Sequence, residues 1–117
     1  MRLQHASLCF PPGAYAEVRA FYGGLLGLEE IEVPPKLEPG KFVWFRGGDP
    51  DIELHLMPGE VPRGDHHVCL AVEDVDRLRA RLEADGYETS DGTEIVGRPR
   101  FFCRDPFGNL LELCRMP

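Results

Sequence analysis

No stretch of the chain approaches the roughly 20 consecutive apolar residues of a membrane-spanning helix. At the N-terminus Arg2, Gln4 and His5 interrupt the apolar residues, where an export signal would need an unbroken hydrophobic segment. No membrane partner is expected, and the cytoplasm is the expected compartment. Basic charge is scarce too: 13 Lys and Arg stand against 20 Asp and Glu, giving a net charge of −7. With no aromatic-interleaved basic patch, binding to a phosphate backbone is not expected. Paired metal-knuckle or redox cysteines are missing as well. Cys9, Cys69, Cys103 and Cys114 lie far apart with no Cys-x-x-Cys among them, so they are expected to be reduced and mostly buried.

What is present suits one globular domain. The 117 residues are 43% hydrophobic and 28% charged, enough for a core that needs no disulfide staples. The stretch Arg100–Arg115 poses the central question, because it places Glu112 among Leu110, Leu111, Leu113 and Cys114. Asp105-Pro-Phe-Gly-Asn109 reads as a hairpin turn, Pro fixing one φ and Gly or Asn free to take a positive one. In the strand that follows, alternation puts Leu111 and Leu113 on one face and Leu110, Glu112 and Cys114 on the other. A carboxylate on an enclosed face is costly unless something pairs with it.

Upstream, Leu3 to Phe10 has a strand pattern closed by Pro11-Pro-Gly13. From Ala14 the apolar spacing changes to Val18, Phe21, Tyr22 and Leu25, a helical stripe ended by Gly23-Gly24 and Gly27. Extended segments are expected at residues 27–33, 41–46 and 51–57, with a Gly47-Gly-Asp-Pro50 turn before the last. The order βαβββ then begins again: His66 to Val72 as a strand, a helix from an Asp74 N-cap to a Gly86 C-cap with Val75, Leu78 and Leu82 inward, then Tyr87–Thr89, Phe101–Arg104 and Leu110–Arg115. The expected modules are residues 1–60 and 61–117.

The repeat has a period of about 60: His5 to His67 is 62 residues and Glu53 to Glu112 is 59. On that spacing the four residues are expected at equivalent places, the first and last strands of each half. In all four strands the opposite parity is the more apolar (Leu8 and Phe10, Ile52 and Leu54, Val68 and Leu70, Leu111 and Leu113), so helices should cover that face. The polar parity should line a shared cavity. Two imidazoles and up to two carboxylates meeting there form a site for one divalent ion: zinc, manganese, iron, nickel or cobalt. The fourth ligand stays open between Glu53 and His55, which point the same way. His55 reads otherwise as a residue behind the metal or facing substrate, and His66, on the opposite parity from His67, as a bystander.

With His5 in the first strand, Ala20-Phe-Tyr-Gly-Gly-Leu-Leu-Gly-Leu28, Ile52-Glu-Leu54, His67-Val-Cys-Leu-Ala-Val-Glu-Asp-Val75 and Asp105-Pro-Phe-Gly-Asn-Leu-Leu-Glu-Leu113, the chain resembles the vicinal oxygen chelate superfamily of glyoxalase I, fosfomycin-resistance thiol transferases, extradiol dioxygenases and bleomycin-binding proteins. The resemblance implies an α+β, glyoxalase-like fold in which two tandem βαβββ modules form a curved mixed sheet around a metal cleft, commonly as a homodimer. It implies a metal held by His5, His67 and Glu112, plus Glu53 in glyoxalase-like members, binding two neighbouring oxygens of a small-molecule substrate. Glu53 and Glu112 are then the candidate catalytic carboxylates. Arg46, Arg98, Arg100 and Arg104 are candidates to meet an anionic substrate, whereas Asp76, Arg77, Arg79 and Arg81 look like a solvated helix face. The expected function is a metal-dependent enzyme of the glyoxalase type, a lyase, isomerase or thiol transferase; a dioxygenase fits less well, with Phe101 and Phe102 where such enzymes have a tyrosine. The alternative is a metal-free protein that sequesters an aromatic or peptide-like compound, for which Phe42, Trp44, Phe45, Phe101 and Phe102 would be the telling residues.

Overall fold

The structure, a computed structural model, describes residues 1–48 and 51–115. The chain divides into two compact units, Met1–Pro62 and Arg63–Pro117, each built around one four-stranded mixed sheet.

In the first unit β1 (His5–Phe10) leads into α1 (Tyr15–Val18), which continues as a π-helical turn over Arg19–Leu25. The expected stripe buries Val18, Phe21 and Tyr22 and leaves Leu25 half-buried. The π-type turn takes in Gly23 and Gly24 near its end. Next come β2 (Glu30–Ile31), β3 (Val43–Arg46) and β4 (Glu53–Pro58), arranged β1-β4-β3-β2. β1 runs parallel to β4, and the other pairings are antiparallel. The turn expected at residues 47–50 includes Asp49 and Pro50, which lie outside the described residues.

The second unit repeats the plan with β5 (His67–Ala71), α2 (Val75–Ala84), β6 (Thr89–Asp91), β7 (Arg100–Arg104) and β8 (Leu110–Cys114), arranged β5-β8-β7-β6. The Asp74 side chain caps α2 by accepting from the Arg77 N–H at 3.0 Å, and Gly86 follows at φ 93°, a conformation that favours a residue without Cβ. Between β7 and β8 the Asp105 carboxylate accepts from the Phe107 and Asn109 N–H groups at 2.9 Å and from Asn109 Nδ2 at 2.8 Å. Both residues are buried, so the turn is closed by its own side chains, and Gly108 takes φ 102°. The α+β architecture of two tandem βαβββ modules, each with a curved and open sheet, is the one the sequence pattern implies.

In both units the helix covers the apolar parity. Tyr22 packs on Phe45, ring centres 5.9 Å apart, over a layer holding Val43, Leu54 and Leu56, all at most 2% exposed. In the second unit the Arg79 guanidinium of α2 lies 5.5 Å from the Phe101 ring, above buried Leu111 and Leu113. Arg79, expected on a solvated face, instead reaches the sheet edge, bonding Thr89 Oγ1 at 2.9 Å and Asp91 at 2.6 Å. Burying each of these large apolar side chains contributes about 1.5–3 kcal/mol. That gain fixes the register, because a slip by one residue would turn His and Glu into the core.

Candidate functional site

Each sheet face left free of helix carries an imidazole and a carboxylate. On β5 and β8 of the second unit, His67 Nε2 lies 3.0 Å from Glu112 Oε2. His67 Nδ1 donates to the Asp65 carbonyl at 2.8 Å, and that oxygen can only accept. The Nε2 lone pair of a neutral ring therefore faces a carboxylate lone pair. Only a proton or a metal ion between them makes the contact favourable. Glu112 is buried, with 11% of its side chain exposed, and its other oxygen accepts from Arg100 Nη1 at 3.1 Å. Arg100 is held in turn by the Thr93 carbonyl at 2.8 Å and lies over Phe102, 5.2 Å from the ring centre. Gly92 makes room for it, since a Cβ there would come within 2.8 Å of the guanidinium carbon.

On the first unit, His5 pairs with Glu53 across the β1–β4 ladder. His5 Nδ1 bonds Gln4 Oε1 at 2.7 Å, while Gln4 Nε2 donates to the Asp51 carbonyl at 3.2 Å. That second bond sets the amide orientation, so His5 donates from Nδ1 and keeps Nε2 for another partner. His55 is engaged differently. It is sandwiched between His5 (centroids 4.2 Å, 17°) and Trp44 (3.7 Å, 4°), and its Nε2 bonds Glu53 Oε1 at 2.9 Å. Burial pushes its pKa down, which keeps it neutral and makes Nε2–H the donor to Glu53. The Glu53 carboxyl is held below its usual range by that bond and by a second one with Gln4.

The registers alter one expectation from the sequence. Ser7 faces His55 and Trp44 faces His55, as Cys69 faces Glu112 and Phe102 faces Glu112. His55, not Glu53, is therefore the positional counterpart of Glu112. The place of Glu53, opposite the first-strand histidine, is taken in the second unit by Leu110. Glu53 still lies on the helix-free face, directly opposite His5. Within neither unit do three or more His, Cys, Asp or Glu side chains among the described residues converge on one point. The structure thus groups His67 with Glu112 and Arg100, and His5 with Glu53, His55 and Trp44.

The donor chemistry fits a divalent ion. A separation of 3.0 Å between His67 Nε2 and Glu112 Oε2 is the bite of two cis ligands at about 2.1 Å each. Arg100 occupies Oε1 and so restricts Glu112 to one donating oxygen. An imidazole oriented through a carbonyl oxygen, as His67 is, suits a late transition metal. Beside His67 a cleft of about 670 Å³ is lined by Tyr87, Thr89, Phe102, Arg104 and Leu110, a volume suited to a small molecule. Of the other candidate arginines, Arg46 is paired with Glu29 at 3.0 Å, and Arg104 donates to the Gly108 carbonyl at 2.8 Å. Sequence reasoning missed Gln4, Asp65 and Thr93. Gln4 could have been noticed as the neighbour of His5, whereas Asp65 and Thr93 act through main-chain oxygens that leave no mark in a sequence.

Two βαβββ units with histidine on the first strand and helix-free functional faces define a glyoxalase-type protein. The chain belongs to the Glyoxalase/Bleomycin resistance protein/Dioxygenase superfamily, whose family model matches residues 2–113. Among solved structures it is similar to one described as a glyoxalase family protein from Bacillus anthracis, at 30% identity and TM-score 0.88, over 100% of this chain and 96% of that one. It shares its fold with the antibiotic-binding protein TnmS3 of a Streptomyces species (22% identity, TM-score 0.77, 100% and 97% covered). Lactoylglutathione lyase of Agrobacterium tumefaciens likewise has this fold (23%, 0.73, 97% and 92%). No curated protein matches the chain.

Proposed function

We propose that this protein is a divalent-metal-dependent enzyme of the glyoxalase type, a lyase, isomerase or thiol transferase acting on a small substrate with two neighbouring oxygens. The observation that carries the reading is the tethering of both histidines: Nδ1 of His5 and of His67 is committed to a carbonyl oxygen, leaving each Nε2 for a cation. His5, His67 and Glu112 are the proposed ligands, with Glu53 completing the set or serving as the base. A bound ion would supply Lewis acidity toward the substrate oxygens. Arg100 holds Glu112 to one donating oxygen, and His55 and Gln4 aim Glu53. Phe102 and Tyr87 line the cleft beside His67. As a base Glu53 is ionised throughout the neutral range, so its carboxylate can accept a proton from a bound substrate.

The expected assembly is a cytoplasmic homodimer, since each sheet ends in two edge strands that a second copy can cover. The membrane plays no part in this reading, and among the described residues no helix is long and apolar enough to cross one. The test is metal content and turnover on the same untagged preparation, screened with α-ketoaldehyde–thiol adducts, epoxides and catechols. His67→Ala and Glu112→Ala should each release the ion and abolish turnover. Glu53→Gln should keep most of the metal if Glu53 is the base. Wild-type protein that holds no divalent ion tighter than about millimolar would replace this reading with metal-free sequestration of an aromatic compound. The Trp44–His55 stack and Phe102 favour that second reading.

A further inference from the structure

Two residues beyond His67 on β5 and two residues beyond Glu112 on β8 stand Cys69 and Cys114. Alternation puts both on the helix-free face. Their sulfurs are 3.2 Å apart, with the Cys69 S–H donating to Cys114 Sγ. Cys69 is exposed and Cys114 buried, so one member can be reached from solvent while the other is shielded. No comparable partner serves the buried Cys103, whose S–H donates to the Arg104 carbonyl.

We propose that Cys69 and Cys114 are an oxidisable dithiol, a modification site that reacts with a low-molecular-weight disulfide such as oxidised glutathione and closes to an intramolecular disulfide. Burial and the bond to Cys114 push the Cys69 thiol up to about 12, so only a small fraction is deprotonated in alkaline buffer and the exchange is slow. That fraction attacks one sulfur of the small disulfide, giving a mixed disulfide and expelling one small thiol. Cys114, also losing its proton to solvent, then attacks the Cys69 sulfur and expels the second small thiol. Two cysteine thiols are oxidised, and one small disulfide is reduced to two thiols. Closing the 3.2 Å gap to a bond of about 2.05 Å takes a shift of a little over 1 Å. The pair is diagonal, however: the ladder matches Cys69 with Glu112 and Cys114 with Ala71. A bridge across that diagonal asks more of the backbone than one across a directly matched pair. This inference stands whether or not His67 and Glu112 take a metal.

The experiment uses the reduced full-length chain, stripped of metal with a chelator and incubated anaerobically with oxidised glutathione in mildly alkaline buffer. Free thiols should fall from four to two. The intact mass should drop by two hydrogens with no glutathione retained, peptide mapping should join Cys69 to Cys114, and reduced glutathione should restore four thiols. Cys114→Ser should stop at a glutathione adduct on Cys69, because the resolving sulfur is gone. Four thiols persisting in the wild type, a stable glutathione adduct on it, or a covalent dimer through Cys69 would each overturn the proposal.

Discussion

Replacing Arg100 by Met separates the two things Glu112 could be, a structural ion-pair partner or a metal ligand. The guanidinium sits 3.1 Å from Oε1, with 14% of its side chain exposed and 11% of its partner's. A divalent ion on the other oxygen would stand roughly 6 Å from that charge. The repulsion is about 1.4 kcal/mol if the cleft behaves as water and about 5–6 kcal/mol at an effective dielectric near 20. Removing it should tighten divalent-ion binding at least tenfold. The same substitution strips a buried carboxylate of its partner, so the metal-free protein should lose about 3 kcal/mol of stability, a urea midpoint shift of roughly 1–3 M. Opposite signs are the signature: a weaker fold without metal, a tighter site with it. Competition of Co²⁺ or Zn²⁺ against a chromophoric chelator at neutral pH measures the first quantity, and urea unfolding with a chelator present measures the second. A folded Arg100→Met protein that binds the ion no more tightly than wild type would refute the assignment of Glu112 as a ligand.

Two further outcomes follow from the same geometry. His55 is held below its ordinary pKa by burial, so its contribution to stability is fully present above about pH 6.5 and is lost as pH falls through the folded-state value; His55→Phe should flatten the decline of the urea midpoint between about pH 7 and 5. Asn109→Ala leaves the buried Asp105 Oδ2 without the Nδ2 donor 2.8 Å away, and should cost about 1–3 kcal/mol in equilibrium unfolding while leaving metal affinity unchanged within about twofold.

How far the sequence carried depended on whether a feature is local. The two βαβββ units were legible because alternation, the Asp74 cap, Gly86 and the Asp105–Asn109 turn act within a few residues, and each appears where the pattern places it. Facing, too, was legible: one parity is the more apolar in the first and last strand of each unit, and burial alone turns His5, His67, Glu53 and Glu112 to the other side. Register was not legible. The 62-residue spacing of His5 and His67 and the 59-residue spacing of Glu53 and Glu112 look like one repeat, but the loops between differ in length, and ladder pairing need not follow a numerical period. Pairing sets Ser7 and Trp44 against His55, and Cys69 and Phe102 against Glu112, so the repeat aligns an imidazole with a carboxylate. This bears on the open fourth ligand. Position favours His55, yet its Nε2–H is spent on Glu53 and its ring is pinned between His5 and Trp44, so ligation would require breaking a hydrogen bond and a stack. Glu53 needs only to exchange one hydrogen-bond donor for a cation. Positional homology thus favours His55 and bonding chemistry favours Glu53, and the metal content of Glu53→Gln set beside that of His55→Phe separates the two.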